Sequence, residues 1–334
     1  MAGSGDGQES GGAILAAFLA NIGIAVAKFV GFLVTGASSL LAESIHSVAD
    51  SSNQGLLVLG GRQAKQRPDE LHQFGHSRLR YFWAFVVAVV LFTLGGVFSI
   101  YEGYHKVAEP HDLESPAVAI AILVVAAAFE GFALRTAMRH ARPHRGSRSW
   151  ARFIKDARSP DLPVLLLEDS GALVGLLFAL TGILLALLTG NPVFDGIGTL
   201  GIGALLLCIA VVLAREMRSL LIGESASPDL QRTIEVAFEQ STGVRHVIHV
   251  LTQHLGPDEL LVAAKLEFDP ELTSTELVDA INAAEARVRA NPGLESARIY
   301  VEPDLGASET VVEAAPGEAD GRAKGHAPGG PAPH

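Results

Sequence analysis

His46 and Asp50 stand four residues apart in the run Glu43-Ser44-Ile45-His46-Ser47-Val48-Ala49-Asp50. On a helix that spacing stacks both side chains on one face. An imidazole and a carboxylate so placed can share one divalent cation such as zinc. They can equally hydrogen-bond to each other and merely steady the helix. Glu43 falls on the same face about a turn earlier, where water could solvate it. A second run, Leu165-Leu166-Leu167-Glu168-Asp169, sets two adjacent carboxylates in apolar surroundings. They repel unless a cation or a proton neutralises one. Adjacent helical residues point about 100° apart, so only one can serve a given ligand set. Asp169 is the first choice and Glu168 the backup, because Glu168 can instead lie at the cytoplasmic interface against the arginines of the preceding loop. Glu130 and Lys28 are further ions in apolar runs, and interhelix pairing or snorkelling accounts for them. The polar stretch Asp50-Ser51-Ser52-Asn53-Gln54 either lines a wet path or ties helices together.

The elements that must position these residues are apolar helices. Of 334 residues, 49% are hydrophobic and 18% charged, with 35 glycines. Soluble domains carry about 25% charge, so this balance points to a membrane. Six segments reach or approach the roughly 20 residues that span a bilayer as helix: 13–34, 40–59, 81–101, 117–134, 164–188 and 197–213, the last beginning nearer Val193. The first is too long for a cleaved signal peptide, lacks a basic leader, and contains Asn21 and Lys28. Lys and Arg crowd two loops. Arg62, Lys65, Arg67, Arg78 and Arg80 follow the second segment, and seven more lie between Arg139 and Arg158. The opposite loops hold only Lys106, so both termini are expected in the cytoplasm. A net charge of −11 argues against nucleic acid as partner. The lone Cys208 cannot form an intramolecular disulfide.

From about Glu224 the pattern changes to amphipathic helix (225–240), strands (244–254 and 259–268), a helix (273–289) opening on a capping box with Glu276, and a strand (297–301). The order α-β-β-α-β describes a small α+β, ferredoxin-like cytoplasmic domain. It carries 15 acidic against six basic residues between 224 and 304. The expected division is a disordered N-terminus (1–11), a six-helix transmembrane domain (12–223), the cytoplasmic domain (224–304) and a disordered Gly/Pro/Ala/Glu-rich tail (305–334).

With six spans, an intramembrane His-x-x-x-Asp and this tail, the chain resembles the cation diffusion facilitator family from about residue 12 to 304. Thr35-Gly36-Ala37-Ser38 with Leu41-Ala42-Glu43-Ser44-Ile45-His46, His72-Gln73-Phe74-Gly75-His76 and Val301-Glu302-Pro303 all look like family motifs. The stretches 50–54 and 165–169 look most like the branch that includes zinc transporter nine. The resemblance implies a zinc site built by spans two and five, with His46, Asp50 and Asp169 as ligands. Leu165 stands where the family has a further ligand, leaving Glu168 or water for the fourth place. It also implies a second metal at Asp69, His72 and His76 in the first cytoplasmic loop, although loop histidines are usually only solvated. In the cytoplasmic domain, Tyr300 replaces a family histidine. His246, His249 and His254 remain candidates there, with His246 and His249 expected on opposite sides of a strand, and the domain is expected to pair two protomers.

Together these readings describe a homodimeric exporter of a divalent cation, zinc first and manganese, iron or cobalt next, in exchange for protons. No resident cofactor and no enzymatic activity are expected. No His-Glu-x-x-His for a metalloprotease and no Walker-type phosphate loop occurs in the sequence. The competing reading is a non-transporting metal-sensing membrane scaffold. Ala/Gly/Arg-rich usage hints at a bacterial plasma membrane.

Overall fold

A computed structural model of the chain describes residues 6–157 and 159–304, with side chains in the first helix described from Asn21 onward. The tail 305–334 and residues 1–5, both expected to be disordered, lie outside the described residues. Seven helices come first: α1 (Asp6–Thr35), α2 (Ser38–Gln63), α3 (Leu79–Ala108, π-helical over Leu91–Val97), α4 (Pro116–Arg145), the short α5 (Trp150–Asp156), α6 (Asp161–Thr189) and α7 (Val193–Ile222). Helix α1 begins at Asp6, inside the stretch for which disorder is expected. Once a helix is nucleated, each further residue adds a bond at little cost.

Helices α3, α4, α6 and α7 are long and apolar enough to cross a membrane. Helix α2 is long enough but carries Glu43, His46, Asp50 and Asn53. In α1 the described apolar stretch runs only over Asn21–Thr35. Helix α4 continues well past 134, and its C-terminal turns carry Arg139, Arg142 and Arg145, which need no hydrocarbon around them. Helices α6 and α7 approach so closely that a Cβ on Gly182 would stand 2.8 Å from the Phe194 carbonyl oxygen, and one on Gly198 2.7 Å from that of Phe178. Small residues permit that approach where lipid offers no hydrophobic drive.

The opposite end of the bundle from the arginines is tied by a buried knot. Gly36, at φ +65°, turns the chain into α2, whose flanking Ala37 has no capping side chain. Asp195 of α7, fully buried, supplies the cap instead. It accepts from the backbone N–H of Ser38 (2.8 Å) and Ser39 (3.4 Å) and from the Ser39 hydroxyl. Lys106 of α3 donates to the Gly36 carbonyl at 3.0 Å.

The C-terminal unit comprises α8 (Pro228–Glu239), β1 (Val244–Gly256), β2 (Glu259–Phe268), α9 (Ser274–Arg289) and β3 (Arg298–Asp304). β1 pairs antiparallel with β2, and β2 parallel with β3. Leu260, Val262, Ala264, Leu266 and Phe268 alternate into the core under the helices. Thr273 and Glu276 form the capping box, and the Thr273 bonds hold the Glu276 carboxyl below its ordinary range. Register shifts in β1 change one expectation. His246 sits opposite Glu267 and His249 opposite Lys265, so both lie on the same open face of the sheet. A bulge moves every later side chain by one place.

Asp195→Ala is expected to strand buried donors at the start of α2 and cost about 1–3 kcal/mol. Thermal unfolding of the detergent-solubilised protein should fall accordingly, with Asp195→Asn retaining part of the loss. An unchanged midpoint in Asp195→Ala would remove the knot from the account.

Candidate functional site

Helix α2 places His46 inside the bundle, 1% exposed, with Nε2 3.3 Å from Asp50 Oδ2. Neither ring nitrogen makes a hydrogen bond among the described residues. A Cβ on Gly95 would lie 3.8 Å from Nδ1. Gly95 belongs to the π-helical stretch of α3, so the wider winding and missing side chain leave room for the imidazole. Such π segments recur at functional sites. Asp50 reaches a cavity of about 400 Å³ between α1, α2, α4 and α6, and Asp169 lines the same cavity. His46 therefore stands behind Asp50, and Asp169 faces it from another helix.

The other two acidic residues behave differently from expectation. Glu168 does not lie against the arginines. It is buried and accepts a hydrogen bond from Asn53 Nδ2 at 2.7 Å, which ties α6 to α2. Glu43 is not solvated. It is fully buried, and Lys28 Nζ of α1 donates to its Oε2 at 2.9 Å and to Ser47 Oγ at 2.8 Å. Lys28 thus pairs between helices rather than snorkelling. Of the polar run, Asn53 joins helices while Gln54 lines the cavity. Among the described residues, His46, Asp50, Asp169 and Glu168 do not gather three ligating atoms within 4.8 Å of one another.

Asp69, His72 and His76 do gather so, in the loop between α2 and α3. Asp69 Oδ1 accepts from the backbone N–H of Leu71 (3.0 Å) and His72 (2.6 Å). His72 Nδ1 lies 3.1 Å from Oδ1, and His76 Nε2 lies 3.4 Å from Oδ2. The His72 backbone bond holds the Asp69 carboxyl below its ordinary range, so an anion already faces the two imidazoles at neutral pH. The loop rests on the C-terminal unit. Ser77 donates to Glu259 (3.1 Å), Arg298 donates to the same carboxylate, and the Arg298 guanidinium lies over the Phe74 ring.

Sequence reasoning missed Glu130 as a cavity residue, the Asn53–Glu168 bond, and the π-helical niche. The pair Gly95-Gly96 opposite a buried histidine was the one available signal.

The fold and these buried ions define an integral membrane protein with ionisable groups held inside a helix bundle. The cation efflux transmembrane domain matches residues 14–222, and the chain belongs to the cation efflux family. It is 32% identical over 254 residues to the human proton-coupled zinc antiporter SLC30A9, mitochondrial, an alignment covering 75% of this chain and 45% of that relative. Metal tolerance protein C4 of Arabidopsis thaliana is 27% identical over 327 residues (94% of this chain, 69% of the relative). Zinc transporter ZitB of Pectobacterium atrosepticum is 26% identical over 246 residues (72% of each). The chain thus spans less than half the length of the antiporter.

Lys28→Ala takes from the buried Glu43 the ammonium it accepts from, and removing one partner of a buried pair costs about 3–5 kcal/mol. The variant is expected to unfold at markedly lower temperature in detergent. Lys28→Met combined with Glu43→Leu should recover most of the loss. Equal midpoints for the single variant and the parent would show that the pair contributes nothing.

Proposed function

We propose that the protein exports a divalent cation, zinc first, from the cytoplasm in exchange for protons. The observation that carries this reading is the His46–Asp50 pair: a buried imidazole with no hydrogen bond, set behind a carboxylate that opens onto a cavity shared with Asp169. Imidazole and carboxylate must lose their protons to ligate metal, so metal binding releases protons and protonation expels metal. His46, Asp50 and Asp169 are the transport ligands, with Glu168 a reserve that would first have to leave Asn53. Because oxygen donors dominate, manganese, iron and cobalt are the next candidates. The names of the antiporter and transporter relatives support zinc.

Six spans (α1–α4, α6 and α7) form the membrane domain over 12–223, and 224–304 form the cytoplasmic domain. Both termini face the cytoplasm, the membrane is a bacterial plasma membrane, and two copies pair through the C-terminal unit. Alternating access exposes one site to each side in turn. Asp69, His72 and His76 hold a second cation at the cytoplasmic end. That loop is the reason to keep a second reading, a metal-sensing scaffold, since its three ligands are already gathered and docked on Glu259.

Reconstituted in proteoliposomes, the parent is expected to couple zinc uptake to proton release, and His46→Ala and Asp50→Ala each to abolish that flux. Unchanged flux in both would remove the site assignment. Asp69→Ala with His72→Ala should lower zinc stoichiometry by one while flux through the bundle persists. Metal bound at the loop with no flux in the parent would favour the sensor.

A further inference from the structure

Glu130 is the one acidic side chain of α4 within the apolar part of the bundle, and it is not spent on a partner. Among the described residues it makes no hydrogen bond or ion pair, in contrast to Glu43 and Glu168, which hold Lys28 and Asn53. It lines the same cavity as Asp50 of α2 and Asp169 of α6. Three carboxylates from three helices therefore open onto one space of about 400 Å³. Among the described residues the three do not bring their ligating atoms within 4.8 Å of one another, but like charges lining one low-dielectric space are relieved by a cation or by protons. The buried imidazole of His46, with both nitrogens free of hydrogen bonds, lies behind this lining with Nε2 3.3 Å from Asp50, whose Oδ1 is also buried and unbonded among the described residues.

The cavity also has a direction. Along α4 its lining runs from Phe129 to His140, about 16 Å of helix at 1.5 Å per residue. Gln54 and His140 lie at the end where the arginines cluster. Leu165, one turn before Asp169 on α6, lines the cavity without offering a donor. Helix α4 lines the same cavity with Glu130, a side chain one methylene longer than those of Asp50 and Asp169.

We propose that Glu130 is a ligand of the transported cation, contributing the third carboxylate of the site from α4. This rests on the export reading above, and it adds a consequence. With three oxygen donors and one imidazole the site is harder than one built from paired histidines, and its preference between manganese and zinc is set at position 130.

The test uses the full-length protein in detergent with Asp69→Ala, His72→Ala and His76→Ala, so that the loop does not bind. Zinc and manganese dissociation constants are measured by calorimetry, with elution profile and thermal midpoint as folding controls. Glu130→Gln is expected to weaken zinc at least tenfold at an unchanged midpoint. Glu130→His, which exchanges an oxygen donor for nitrogen, is expected to bind zinc within about threefold of the parent and to lose manganese at least tenfold. A purely structural role would not move that ratio. Dissociation constants within twofold of the parent in Glu130→Gln, or the parent's zinc-to-manganese ratio in Glu130→His, would overturn the assignment. Binding sensitive to Glu130 and Asp50 in a protein that carries no flux would overturn export and leave the ligand in place. Binding indifferent to both residues would sink the two together.

Discussion

Helix α2 carries a carboxylate, an imidazole and a second carboxylate at Glu43, His46 and Asp50, all inside an apolar bundle. An ionisable group there costs several kcal/mol unless something compensates it. Each of the three is treated differently. Glu43 is neutralised permanently by Lys28 from α1, with Ser47 sharing the ammonium. His46 has steric accommodation from Gly95 of α3 but no hydrogen bond. Asp50 opens onto the cavity. Glu43, the one of the three with a cationic partner on another helix, lies a turn from the pair, and of that pair Asp50 lines the cavity while His46 stands behind it.

The two ends of α2 extend the same logic. Its N-terminal donors are capped from α7 by Asp195, and the incoming turn is pinned by Lys106 from α3. In its second half, Asn53 is held to Glu168 of α6. With Lys28 of α1 bonded to Glu43 and Ser47, helix α2 is thus fixed to α1, α6 and α7 by buried polar bonds. Any movement of α2 against α6 would have to break the Asn53–Glu168 bond or carry it along with both helices, because it crosses between them.

Much of this was legible from sequence where periodicity constrains it. The i, i+4 spacing of His46 and Asp50 put them on one face, and the Thr273–Glu276 box marked the start of α9. Alternation in β2 marked its buried side. What failed to show were partnerships across helices. A helix apolar on all sides has no hydrophobic stripe to say how it is rotated, so nothing in the sequence tells whether Glu130 of α4 faces lipid, a lysine or a cavity. For the same reason Glu43 read as solvated and Glu168 as interfacial, although each has its partner 15 and 115 residues away. In β1 the failure was local. The register shift between Val247 and His249 is a backbone event, and counting parity along the strand cannot detect it.

The loop between α2 and α3 connects the bundle to the C-terminal unit through one carboxylate. Glu259, at the start of β2, takes hydrogen bonds from Ser77 and Arg298, and Arg298 also covers Phe74. Ser77 follows His76, and Phe74 lies between His72 and His76, so the residues that dock the loop are interleaved with those that gather around Asp69. The two imidazoles, 4.6 Å apart between ring centres, therefore sit beside the contacts that seat the loop on Glu259 and Arg298. Glycine at 256 is part of that fit, since a side chain there would run into Ser77. The loop that carries the Asp69 cluster is thus seated on the C-terminal unit through Glu259 and Arg298.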